Sequence, residues 1–84
     1  MVKTHTIKLS HEFQEAVLSG DKTFEVRRND RGYQKGDLVQ FRVVDNAGIE
    51  MLRAPLSEVT FVITYVLSGW HIEQDYVVFG IRRV

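Results

Sequence analysis

Four segments of this chain alternate apolar and polar residues, and a period of two commits most of the chain to β-strands. Thr4–Leu9 sets His5, Ile7 and Leu9 on one side, and Leu38–Asp45 does the same with Val39, Phe41 and Val43. Tyr76–Arg83 aligns Val77, Phe79 and Ile81, and Thr23–Arg28 alternates as well. Glu58–Leu67, rich in β-branched and aromatic residues, reads as the most buried strand. Asn46-Ala47-Gly48 marks a tight hairpin, with Ile49–Arg53 as its return strand, ended by Pro55. Short strands joined by tight turns must each bury one face. A curled sheet does this in a small chain and removes exposed edges.

One helix interrupts the strands. Ser10 suits the N-cap, Glu12 the first turn and Gly20 the C′ position. Phe13, Ala16 and Val17 then share a face of a helix over 11–19, which at two to three turns needs tertiary packing to persist. The expected fold class is α+β, mainly β: a curled barrel of five or six strands with one main helix beside a cleft. At 84 residues it reads as a single domain over 1–84, with a modest core.

The stretch from Gly20 to Asp30 carries the chemistry. On a strand, Thr23, Glu25 and Arg27 point one way and Phe24 and Val26 the other, with Lys22 at the entrance. A carboxylate beside a guanidinium and an ammonium can hold a polar or anionic ligand, or form a solvated ion-pair face. Asn29 and Asp30 add an amide and a carboxylate at the strand's exit. The loop 29–37 lacks phosphate-loop spacing, and its glycines serve turn geometry. Trp70, the sole tryptophan, lies in the loop 68–75, where it is either a rim residue or a stacking platform for a base.

Other classes fall away on composition. Without cysteine there is no disulfide framework or thiolate site, which suits a reducing cytoplasm. His5, His11 and His71 lack metal-ligand spacing, so no metal or other cofactor is expected. No apolar run nears the ~18 residues of a membrane span, and the start Met1-Val2-Lys3-Thr4-His5 lacks a signal-peptide core. Eleven basic and eleven acidic residues give zero net charge, which argues against strong nonspecific binding to nucleic acid. The charge is uneven, however: residues 20–36 hold Lys22, Arg27, Arg28, Arg31 and Lys35 against Asp21, Glu25 and Asp30.

Leu18-Ser19-Gly20 followed by Lys22-x-x-Glu25-x-Arg27 resembles the ASCH signature Gly-x-Lys-x-x-Glu-x-Arg, within the PUA-like superfamily. The closer likeness is to short bacterial and phage ASCH-like proteins with a Lys-Thr-Phe-Glu-x-Arg-x-Asn-Asp core. It extends through Gly36-Asp37, Tyr65-Val66-Leu67-x-Gly69 and Tyr76-Val77-Val78 to Ile81. The resemblance implies a small barrel whose Lys-Glu-Arg signature faces a cleft, and an RNA- or nucleotide-binding role. Some compact relatives are amidohydrolases that deacetylate N4-acetylcytidine with a lysine, a threonine three residues later and a distant glutamate. Lys22 matches the lysine, but the threonine position is Glu25 here, and no motif anchors Glu73 as the distant acid. That departure weighs against hydrolysis.

The reading is therefore a cytoplasmic module that holds a base or a single-stranded nucleotide, with Lys22, Glu25, Arg27, Asn29, Asp30 and Trp70 as candidate contacts. The alternatives are a small amidohydrolase acting on a modified nucleoside, with Lys22 and Glu25 as an acid/base pair, or a regulatory domain that meets another protein.

Overall fold

The computed structural model describes residues 1–84. Five strands form one sheet: β1 (Thr4–Ser10), β2 (Phe24–Arg28), β3 (Leu38–Val44), β4 (Thr60–Leu67) and β5 (Tyr76–Arg83). Their spatial order is β1-β3-β4-β5-β2. β1 runs parallel to β3, and the other three pairings are antiparallel. The sheet curls into a half-barrel, and the alternation in the sequence sets its inner surface. His5, Ile7, Leu9, Val39, Phe41, Val43, Val77, Phe79 and Ile81 are all buried. Fourteen buried apolar residues make a single core.

Between β1 and β2 the chain passes through a tight 3-10 turn, His11–Phe13, and a short helix, α1 (Gln14–Ser19). The Ser10 hydroxyl accepts from the Glu12 N–H, and Gly20 closes the helix at φ 89°. That left-handed conformation favours glycine. Val17 anchors α1 in the core, and the Gln14 side chain accepts from the Leu56 N–H at 3.2 Å. The expected helix over 11–19 is thus a tightened first turn followed by a shorter α-helix.

The expected return strand Ile49–Arg53 does not form. The turn itself is built, with Asp45 Oδ1 accepting from Ala47 N and Ile49 N, both at 2.9 Å. Beyond it the pairing with β3 ends after a Val44–Glu50 bridge and a bond from Met51 N to Val43 O. Ile49 and Leu52 gain no burial by continuing, whereas Ala54 and Leu56 do: both are buried where the chain turns through Pro55–Glu58. Apolar burial at Leu56 therefore wins over a longer ladder with β3.

β2 turns its charged face inward. In the β2–β5 ladder Glu25 pairs with Phe79 and Arg27 with Val77, both inward-facing residues of β5. The register therefore forces Glu25 into the barrel, where it is 3% exposed. Phe24 and Val26 are left outside, 45% and 55% exposed. Alternation defined the two faces of this strand but not which one the sheet would bury.

Candidate functional site

Glu25 sits between two cations. Its Oε1 accepts from Arg27 Nε at 3.2 Å and Nη2 at 3.0 Å, while Oε2 accepts from Lys22 Nζ. With three bonds made, one of roughly four acceptor positions remains. The Lys22 ammonium also donates to Phe24 O at 2.8 Å. It lies 5.4 Å from the Phe13 ring centre and 5.1 Å from that of Phe24. The Lys22 N–H is tied to Ala16 O at 2.9 Å, which sets the side chain at the end of α1. The triad carries one net positive charge, and its carboxylate is spent on holding the two cations.

β1 and β2 are the two edges of the curled sheet. They face each other across an open seam that side chains bridge: Arg27 Nη2 donates to Lys8 O, and Arg31 Nη1 donates to Thr6 O at 2.8 Å. A hollow of about 370 Å³ lies along the seam. Five cations border it, Lys8, Arg27, Arg28, Arg31 and Arg42, against the single carboxylate of Asp30. Arg42 is engaged by Glu50 at 2.7 Å and Arg27 by Glu25, whereas Lys8, Arg28 and Arg31 have no carboxylate partner. Arg28 instead lies 5.8 Å from the Tyr76 ring centre.

Tyr33 forms part of the same wall. Its ring is 5% exposed and lies 4.7 Å from both His5 and Phe79, measured between ring centres. The hydroxyl has no hydrogen-bond partner within the protein. Burial pushes the phenol above its ordinary value, and nearby Arg31 and Arg27 oppose that rise.

A second hollow, of about 540 Å³, adjoins the first, with Lys8 and Arg27 in the walls of both. Phe13 and Phe24 border it, each 45% exposed, together with the triad. A third, of about 510 Å³, lies between the end of α1 and β5, where Arg83 straps the helix by donating to Leu18 O at 3.0 Å.

The structure thus brings Lys22, Glu25 and Arg27 together and sets Asp30 in the adjoining basic hollow. Asn29 is a turn residue: its Oδ1 accepts from Tyr33 N at 3.2 Å and its N–H donates to Asp75 O at 2.8 Å. Trp70 lies apart, 82% exposed on a turn at φ 51°, and borders neither seam hollow. Lys8 and Arg42 escaped the sequence reading. They are neighbours because they pair across the parallel β1–β3 ladder, and no local pattern signals that pairing.

The loop that carries Arg31 and Tyr33 is anchored from below. Asp37 Oδ2 lies 2.8 Å from His5 Nε2, and its carboxylate also accepts from Gln34 N at 3.2 Å and Lys3 N at 3.3 Å. Burial pushes the Asp37 carboxyl up, but these bonds outweigh it and hold the group below its ordinary value. His11 is engaged elsewhere, 2.9 Å from Asn46 Oδ1. No helix is long and apolar enough to cross a membrane.

Among known proteins, one similar chain is the "Uncharacterized 12.9 kDa protein in GpA 3'region" of Escherichia phage P2. It is 43% identical over 37 residues, which are 44% of this chain and 34% of that protein. The match therefore spans about a third of the phage protein's length. The family model described as "Domain of unknown function (DUF3850)" covers residues 4–81, almost the whole half-barrel with its seam, and the chain belongs to that family.

Proposed function

We propose that the open seam holds single-stranded RNA or a nucleotide, with phosphate over the basic hollow and a base against Phe13 and Phe24. The observation that carries this is the placement of charge. A chain of zero net charge gathers five cations around one hollow. Two half-exposed phenyl rings border the hollow that adjoins it. Cations for phosphate and π-faces for bases are the usual means of binding single strands. The likeness of Lys22-x-x-Glu25-x-Arg27 to the ASCH signature points the same way. In this reading Glu25 positions Arg27 and Lys22 rather than contacting a base.

Amidohydrolysis is the weaker reading. The Lys22 ammonium is committed to Glu25 and Phe24 O, and no hydroxyl stands at the expected nucleophile position. The test is a titration of labelled short single-stranded RNA by fluorescence anisotropy at two salt concentrations. Saturable binding that Arg31→Ala and Lys8→Ala weaken, with Lys35→Ala as a control outside the hollow, supports the reading. An absence of binding at millimolar nucleotide overturns it.

A further inference from the structure

We propose that the basic hollow is an end-binding site, which takes the terminal phosphate monoester of a single strand rather than an internal phosphodiester. This rests on the seam being a nucleotide site and specifies what part of the strand enters it.

The first argument is charge. An internal phosphodiester brings one negative charge, whereas a monoester brings between one and a half and two near neutral pH. Lys8, Arg28 and Arg31 are three cations around one small hollow, and none has a carboxylate partner. Arg27 adds a guanidinium already fixed in orientation by Glu25. Asp30, the one carboxylate on the same wall, offsets one of these positive charges and leaves the hollow with a net positive surplus.

The second argument is an unspent donor. Tyr33 is 5% exposed, borders the hollow and has no hydrogen-bond partner for its hydroxyl. The ring is packed, but the hydroxyl is not sealed from solvent: Ser57 Oγ is the one sealed side-chain oxygen without a partner, so the phenol remains an accessible donor. A monoester has three terminal oxygens, which together can accept from a phenol and several guanidinium donors.

The third argument is the strand edge. β1 pairs with β3 along one side only, and Thr6 and Lys8 turn their carbonyls to the seam, where Arg31 and Arg27 bind them. On a strand the N–H of a residue leaves on the same side as its carbonyl. The Thr6 and Lys8 N–H groups therefore also face the seam, as neutral donors for a phosphate oxygen.

The experiment compares three short single-stranded RNAs of one sequence: 5′-phosphorylated, 3′-phosphorylated and hydroxyl at both ends, each labelled internally. Inorganic phosphate serves as competitor. The expected result is that one phosphorylated form binds about tenfold more tightly than the hydroxyl form. Tyr33→Phe keeps the ring and should remove most of that advantage, while the hydroxyl form still binds as to wild type. Arg31→Ala should remove it as well. Equal binding of all three RNAs overturns the end-binding inference and leaves the seam reading standing. Failure of all three to bind overturns the seam reading itself. A phosphate advantage that survives both substitutions places the terminal phosphate elsewhere and also overturns the inference.

Discussion

Glu25 stands directly across the β2–β5 ladder from Phe79, so a carboxylate and a fully buried phenyl ring occupy adjacent inward positions. The barrel tolerates this because Lys22 and Arg27 close over the carboxylate from both sides. A charge in that position is stable only while its partners remain.

Replacing Glu25 should therefore be costly. Glu25→Gln leaves two partly buried cations without their counter-charge, and a loss of about 3 kcal/mol is expected. Urea denaturation monitored by circular dichroism measures it. A loss below about 1 kcal/mol would mean that solvent already screens the triad.

Arg31→Ala should separate stability from binding. The residue is exposed and gives one bond to Thr6 O, so the stability change should stay within about 1 kcal/mol. RNA affinity should fall, and the slope of log affinity against log salt should shrink by about one unit. An unchanged slope would show that Arg31 meets no phosphate.

Asp37 predicts an acid-side dependence. Its folded pKa lies below the unfolded value near 3.8, so its contribution to stability is complete above that value. It is lost as pH falls through the lower, folded pKa. The stability difference between wild type and Asp37→Asn should hold near neutrality and collapse in acid. A difference that stays constant from neutral pH down to about pH 2 would contradict the hydrogen-bonded carboxylate.

Tyr33 predicts the opposite limb. Its folded pKa is raised above 10.0, so the neutral phenol favours the folded state and stability declines as pH rises beyond that value. Tyr33→Phe should lack this part of the decline. Parallel alkaline denaturation curves for the two proteins would show the phenol to be as well solvated folded as unfolded.

Trp70→Ala should change little. The ring is 82% exposed and away from the seam, so a stability change within about 0.5 kcal/mol and unaltered RNA affinity are expected. A marked loss of binding would show that the loop 68–75 reaches the ligand.

Much of this architecture can be read from alternation alone. Ile7, Phe41, Val77 and Phe79 announce their burial two residues at a time, and Ser10 and Gly20 announce the helix ends. What stays hidden depends on pairing. Lys8 and Arg42 meet only because β1 joins β3 in parallel. The direction of the Glu25 face depends on its register with Phe79, and a strand's own sequence defines two faces without ranking them. The segment Ile49–Arg53 has strand-like residues, yet the nearby Leu56 draws the chain into the core instead.

The seam has one more consequence. An edge strand with bare carbonyls is a template on which another molecule can add a strand. Arg27 and Arg31 occupy the Lys8 and Thr6 carbonyls, so two acceptors of the exposed edge of β1 are already filled. The same two guanidinium groups thus deny an incoming strand those two acceptors. With both arginines replaced, those carbonyls would be bare and Glu25 would keep only Lys22 beside it, so solubility and fold would suffer together.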